Sequence, residues 1–211
     1  TSSGVLMQNF DLQRIEVLRG PQGTLFGKNT TGGLINIIRG DVTMEWGGDL
    51  IVTLDENGRE DIKGVVNVPI IEDKLGIKLF GAQVKSDGFV YNTTLNEDVG
   101  GDDVQNFGFA AKLQATDQFD IKLHYEKTKD ESDQGAYVNQ NVGTDNTCVF
   151  FNSCVTNTTD NENQNSSNTR NFSGNEYDTT ILTANYDFGN MVLTYIGAQR
   201  DMDEQNMQSF D

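Results

Sequence analysis

Long segments of alternating apolar and polar residues are the feature that most limits how this 211-residue chain can fold. In the clearest of them, Phe119, Ile121, Leu123 and Tyr125 alternate with charged and imidazole side chains. Successive side chains of a strand point to opposite faces, so the pattern predicts strands with one apolar and one polar face. Seven such strands are predicted, at about 50–54, 61–70, 75–89, 106–115, 119–126, 179–188 and 191–200.

The predicted connections alternate in length. Tight turns are predicted at 72–74, 116–118 and 189–190, and longer links at about 89–104 and 131–175. Outer-membrane barrels have this asymmetry, with short turns at one end and long loops at the other. A soluble sandwich also alternates, but several segments here reach ten residues, enough for a tilted membrane crossing. The pattern therefore favours an all-β, antiparallel up-and-down transmembrane β-barrel, of which about seven strands are present.

Composition argues against several function classes. The formal net charge is −17, from 32 acidic and 15 basic residues, which disfavours binding to nucleic acid phosphates. His124 is the only histidine, and no nucleophile–base set is apparent, so we expect neither an enzyme nor a cofactor or metal site. The acidic residues of 130–133 are interpreted as part of a solvated loop.

A glycine-rich stretch, RIEVLRGPQGTLFGKNTTGGLINII at 14–38, contains a Gly-Lys pair like that of a phosphate-binding loop. Such a loop needs four residues between its glycines and a hydroxyl residue after the lysine. Here Gly23 and Gly27 enclose three residues, and Asn29 follows Lys28. The final GGLINII is rich in β-branched residues and predicts a strand. Nucleotide binding is therefore not expected.

The same stretch closely resembles the C-terminal part of the plug domain of TonB-dependent outer-membrane receptors. Residues 64–92 are also similar to the second and third barrel strands of that family with their short turn. The resemblance implies that 1–40 is the end of a plug domain and that 41–211 is the first part of the barrel. The long extracellular loop would be the link at about 131–175.

A complete barrel of this family has about 22 strands, and its lumen is plugged. Seven strands alone would leave two unpaired edges in lipid, so we expect the chain to be a fragment. One departure from the family pattern lies at the expected junction. The family usually has Thr or Ser, a basic residue and Pro there, whereas this chain has Arg39, Gly40 and Asp41.

For function, the resemblance implies active import across the outer membrane of a Gram-negative bacterium. A scarce nutrient, most commonly a ferric siderophore, would bind from outside, and TonB would act through a segment preceding this chain to rearrange the plug. The implied partners are the TonB complex, an iron chelate and outer-membrane lipid. Two other classes stay open at this point: a β-rich surface or secreted protein that recognises glycans, and a non-gated porin.

The plug-like stretch supplies the predicted site residues. Its glycines would permit sharp turns in a confined lumen, and these are Gly20, Gly23, Gly27, Gly32 and Gly33. Arg14, Glu16 and Arg19 form a polar cluster. The resemblance implies that such residues pair with carboxylates of the barrel wall and lock the plug; the alternative is that the three satisfy one another.

Cys148 and Cys154 enclose five residues in an Asn-rich stretch. A metal site would need further ligands nearby. An oxidising compartment favours a local disulfide between them, and two free thiols are the alternative.

Overall fold

The computed structural model describes residues 10–56, 58–133, 164–165 and 171–207. These residues form strands and one short helix: β1 (Leu12–Arg19), α1 (Gly23–Phe26), β2 (Gly33–Arg39), β3 (Gly47–Leu54), β4 (Glu60–Ile71), β5 (Leu75–Lys85), β6 (Val90–Asn92), β7 (Glu97–Val99), β8 (Asp103–Thr116), β9 (Phe119–Asp130), β10 (Gln164–Asn165), β11 (Phe172–Asp187) and β12 (Val192–Met207). In the described part of the chain, no helix has the length and hydropathy needed to cross a membrane. Cys148 and Cys154 lie outside the described residues, so their disulfide stays a prediction.

Seven strands form one antiparallel sheet in the order β12-β11-β9-β8-β5-β4-β3. Each strand pairs with the long strand that precedes or follows it along the chain, which makes an up-and-down meander. This confirms the predicted fold class and the predicted number of strands. The sheet does not close: among the described residues, β3 and β12 each pair along one side only.

The structure differs from the prediction at several strand ends. β11 and β12 have 16 residues each, more than predicted, because the halves away from their tight turn are mostly polar and show no regular alternation. β5 ends at Lys85, since the loop turns at Gly88, where φ is +104°. The long link that follows contains the hairpin β6–β7, and β10 pairs with β6 in parallel.

One face of the seven-stranded sheet is apolar across its width. Leu79 of β5 pairs with Val66 of β4 and with Phe109 of β8. Leu123 of β9 likewise pairs with Leu182 of β11. These side chains are exposed in the structure, with Leu79 at 50%. A continuous exposed apolar band on an antiparallel meander is the lipid-facing surface of an outer-membrane barrel.

Aromatic side chains lie near the limits of this band. The rings of Phe119, Tyr186 and Phe188 contact one another at the tight-turn end, with centroid separations of 6.3 and 4.6 Å. Tyr125 lies on the same face, toward the long loops. Tyr177 also lies near an end of the apolar band, but it is 8% exposed and faces the other way. Its odd position in β11 places it opposite to Leu182 in the alternation.

The other face is polar and buries charged side chains, among them Lys78 and Glu126. Residues 10–46, here called the leader, lie against this face through the contacts described below. In the leader, β1 and β2 form an antiparallel hairpin whose tip carries α1. Arg19 pairs with Gly33, where φ is +126° and a Cβ would lie 2.4 Å from the carbonyl oxygen of Leu18. That position therefore admits only glycine.

A charge placed on the apolar face should be costly only within the band. We expect Leu79→Arg in the complete protein to lower the free energy of unfolding in lipid vesicles by about 2–4 kcal/mol, the cost of an arginine near the bilayer midplane. The matched control is Gln83→Arg, four residues further along the same face of β5, with an expected loss of about 1 kcal/mol or less. Denaturant unfolding of both variants checks this, and equal losses would contradict a lipid-facing band.

Candidate functional site

The candidate site is the contact between the leader and the polar face of the sheet, here called the wall. Lys78 of β5 is 1% exposed, and its ammonium donates hydrogen bonds to the carboxylate of Asp11 and to the carbonyl oxygen of Gly40. Asp11 immediately precedes β1 and Gly40 immediately follows β2. One wall residue therefore holds both ends of the leader hairpin.

The base of the hairpin is tight around Lys78. The amide of Gly40 donates to the carbonyl oxygen of Asp11 at 2.8 Å. A Cβ at Gly40 would lie 2.7 Å from Oδ1 of Asp11, and Asp11 itself has a left-handed φ of +52°. A larger residue at 40 would displace the carboxylate from the lysine. The contact between Asp11 and Lys78 therefore requires glycine at position 40.

Arg39 makes the second contact. Its guanidinium forms an ion pair with Glu126 of β9 and donates to the carbonyl oxygen of Phe10 at 3.0 Å. Glu126 also accepts a hydrogen bond from Asn106 at 2.8 Å, and Nε2 of His124 lies 3.3 Å from its second oxygen. A buried ion pair is stable only when the remaining oxygens are satisfied in this way.

An aromatic platform positions Arg39. The guanidinium lies 5.6 Å from the ring centroid of Phe80 and 5.4 Å from that of Phe10, within the range of cation–π attraction. The ring of His124 stacks on Phe80, with a centroid separation of 5.5 Å and an interplanar angle of 16°. Gly108 leaves room for Phe80, since a Cβ there would lie 2.4 Å from the ring.

Asp41 makes the third contact, with two lysines of the wall. Its carboxylate lies 2.9 Å from Nζ of Lys122 and 3.1 Å from Nζ of Lys112. Those lysines are direct partners across β8 and β9, where like charges repel unless an anion lies between them. Burial raises the pKa of Asp41, but the hydrogen bonds from Lys122 and Lys112 outweigh it and hold the pKa below its ordinary value.

Beyond Asp41, the leader stays in contact with the wall. The amide of Thr43 donates to Oδ1 of Asn67 at 3.2 Å. A Cβ at Gly76 would lie 2.7 Å from the carbonyl oxygen of Thr43, so the leader approaches the backbone of β5 directly. Val42 is buried there.

A cavity of about 580 Å³ lies beside these contacts, between β2 and the wall strands β9, β11 and β12. Its lining mixes apolar and polar side chains, including Ile37, Ile38, His124, Thr179, Ile181 and Thr183. The charged groups of the contact, Arg39, Asp41 and Glu126, border the same space. Movement of β2 would therefore change its size.

The predicted polar cluster lies on the leader hairpin, away from these contacts. Arg14 pairs with Glu16 at 2.7 Å, and Asn36 of β2 donates to Glu16 at 3.0 Å. These hydrogen bonds, first that of Arg14, hold the pKa of Glu16 below its ordinary value. Arg19 ends β1. Pairing of this cluster with barrel carboxylates stays a prediction.

The predicted turn glycines lie around the hairpin tip. Positive φ angles occur at Gly20, Gly27 and Gly33, whereas Gly23 begins α1 and Gly32 directly precedes β2. One helical turn, α1, lies between Gly20 and Gly27 at the hairpin tip.

Sequence reasoning missed the residues that make the contact. Arg39, Gly40 and Asp41 supply the cation, the carbonyl oxygen and the anion of its three parts. The signal was present: this tripeptide is the position at which the chain departs from the family pattern. Its partners Lys78 and Glu126 appeared only as charged residues on a polar face.

Known proteins that resemble the chain are outer-membrane receptors. The probable TonB-dependent siderophore receptor PirA of Acinetobacter baumannii is 32% identical over 129 residues, which are 56% of this chain and 17% of that protein. The pesticin receptor of Yersinia pestis is 51% identical over 37 residues, 18% of this chain and 6% of that protein. An iron-regulated outer membrane virulence protein of Vibrio cholerae is 33% identical over 81 residues, 36% of this chain and 12% of that protein. No family model matches.

Solved structures share the fold. The ferric yersiniabactin uptake receptor FyuA from Yersinia pestis matches with a TM-score of 0.77 at 22% identity, over 93% of this chain and 29% of that one. The siderophore receptor PirA from Acinetobacter baumannii matches with a TM-score of 0.63 at 19% identity, over 92% of this chain and 27% of that one. The chain thus spans under a third of either structure. The comparisons confirm the resemblance stated from the sequence and the predicted outer-membrane location.

Removing the charge of Lys78 should detach the base of the leader. We expect Lys78→Met in the complete protein to lower the free energy of unfolding by about 3–5 kcal/mol, because it leaves the carboxylate of Asp11 buried without its cation. Amide hydrogen exchange at residues 10–12 and 38–42 should accelerate with it. Lys74→Met, in the exposed turn before β5, is the control with little expected effect. A stable Lys78→Met protein with unchanged exchange would contradict the assignment.

The Asp41 contact should be sensitive to acid. Because the folded-state pKa is lowered, its stabilisation is present above the ordinary aspartate pKa of about 3.9 and is lost as the pH falls through the lowered value. The difference in unfolding free energy between wild type and Asp41→Asn should therefore stay constant from pH 7 to about pH 4 and shrink below it. Urea unfolding at stepped pH checks this, with Asp117→Asn in an exposed turn as control. A difference that persists unchanged in acid would contradict it.

Proposed function

The chain is a relative of the TonB-dependent outer-membrane receptors and shares their fold, and from this premise we propose that it is part of a nutrient importer of the outer membrane. In this proposal, residues 1–40 are the end of a plug domain and 41–211 are the first part of its barrel. The free edges of β3 and β12 would pair with strands that complete the barrel.

One observation carries this proposal: a leader is held by ion pairs on the polar face of a sheet whose other face is apolar and exposed. A sheet of this kind encloses a wet lumen when it closes in lipid. A segment attached inside that lumen obstructs it. A non-gated porin would have no use for such an attachment, and a soluble binding protein would bury the apolar band.

The chemistry of the attachment suits a plug that must move. Once the leader shifts, Lys78, Glu126, Lys112 and Lys122 stay on the wall and can be hydrated, because their face lines the lumen. An apolar interface of the same size would instead expose hydrophobic surface to water. Breaking buried ion pairs still requires energy, which a TonB-coupled pull on the preceding part of the plug would supply. The cavity beside β2 is where displacement would first widen a path.

The proposed cargo is a ferric siderophore. This part of the proposal rests on the names of the relatives, which are a siderophore receptor, an iron-regulated outer membrane protein and a ferric yersiniabactin uptake receptor. The proposed partners are therefore the TonB complex, an iron chelate bound from outside, and outer-membrane lipid. We propose no catalytic role, since capture and release of a chelate form no covalent bond.

Uptake by cells tests the proposal. A strain lacking the complete gene should lose growth on at least one ferric siderophore as sole iron source, and the wild-type gene should restore energy-dependent uptake of ⁵⁵Fe bound to that chelate. Uptake should also disappear in a TonB-deficient strain. Uptake that persists without TonB would favour a porin, and recovery of the complete protein in the aqueous phase would favour a soluble glycan-binding protein. Undiminished uptake of every chelate tried would overturn the iron assignment.

A further inference from the structure

We propose that Phe10 and Asp11 anchor the leader to the wall, so that a pull on the preceding chain reaches the hairpin only after this anchor breaks. The ring of Phe10 is 5% exposed and lies 6.4 Å, centroid to centroid, from the ring of Phe80. The carboxylate of Asp11 accepts a hydrogen bond from Lys78, which lies two positions before Phe80 on β5. These two leader residues and their two β5 partners are here called the entry anchor.

The entry anchor lies at the point where the chain enters the hairpin. Asp11 immediately precedes β1, which pairs with β2 in antiparallel register. The preceding chain is therefore joined to the wall before it reaches the first hydrogen bond of the β1–β2 ladder. While the anchor holds, tension applied from that side passes into the sheet through Lys78 and Phe80. The β1–β2 ladder is shielded from this tension.

Failure of the entry anchor would change the path of the load. The hairpin begins and ends at the same side, and on the exit side Asp41 is held by Lys112 and Lys122 of the wall. Tension would then enter β1 and leave β2 at adjacent strand ends. An antiparallel ladder loaded in this way opens one residue pair at a time from its base, because each pair in turn bears the whole load.

The entry anchor therefore sets a threshold for opening the cavity beside β2. Ile37, Ile38 and Arg39 of β2 border that cavity. A pull too weak to break the anchor leaves them in place, whereas a stronger pull extends the hairpin and clears that side of the cavity. This inference deepens the proposed plug role and rests on it. It adds a fixed order, in which the entry contacts yield first and the contacts of residues 39–41 yield last.

Two aspartates of the leader make this order testable. Asp11 and Asp41 each bind lysine of the wall, but Asp11 lies before the hairpin and Asp41 lies after it. Asp11→Asn removes the charge that Lys78 requires, and asparagine tolerates the left-handed φ of +52° found at this position. Asp41→Asn removes the corresponding charge on the exit side. Either change weakens the attachment, but only Asp11 lies in the initial path of the load.

The test is extension at constant force of the complete protein in a lipid nanodisc, held by the barrel and pulled through a handle at its N-terminus. In wild type, extension should pause while the entry anchor holds. It should then advance by about 100 Å, the contour length of the chain between Asp11 and Gly40. Asp11→Asn should shorten the pause by about tenfold or more, and Asp41→Asn should leave its duration unchanged.

Phe10→Ala, which removes the ring that packs on Phe80, replaces Asp11→Asn if the asparagine variant does not fold. Equal shortening by the variants at 11 and 41 would assign the pause to the overall stability of the attachment and overturn the inference. A wild-type extension without this pause, or a pause that Asp11→Asn leaves unchanged, would also overturn it. Loss of siderophore uptake would bear on the proposed function and leave this result standing.

Discussion

A single buried ammonium organises the region where leader and sheet meet. Lys78 lies between the carboxylate of Asp11 and the carbonyl oxygen of Gly40, two groups 29 positions apart that the hairpin brings together at its base. A lysine so fully removed from water requires both partners. The need to satisfy this one charge explains the left-handed Asp11, the missing side chain at 40 and the close approach of the two ends of the hairpin.

The second and third contacts are made by the residues on either side of Gly40. Arg39 and Asp41 flank Gly40 in sequence and reach opposite charges on β9 and on the β8–β9 pair. In an extended backbone, side chains two positions apart point to the same side and are separated by about 7 Å, so Arg39 and Asp41 can contact separate parts of the wall. Three consecutive leader residues therefore contribute to all three contacts, whereas their partners on the wall lie on β5, β8 and β9.

The parts of this structure that depend on local pattern were predictable from the sequence. Alternation around Leu123 and Phe109 identified the outward face, and GGLINII was correctly predicted as a strand. The pairing of the leader residues with the wall was not predictable, because it joins residues such as Arg39 and Glu126 that are 87 positions apart. Nothing local to Lys78 distinguishes it from a lysine in water. Tyr177 shows a related limit, since aromatic character near a strand end does not reveal which face the ring is on.

The length of β11 and β12 has a consequence for how the outer end of the molecule is built. The halves of β11 and β12 that lie farthest from their shared tight turn, about eight residues each, continue past the apolar band with mostly polar side chains, a rise of about 25 Å along the strand. The two strands stay paired along this length, so the β11–β12 pair extends beyond the membrane surface as a hydrogen-bonded ribbon. The chain therefore enters β11 at Phe172, well outside the level of the headgroups.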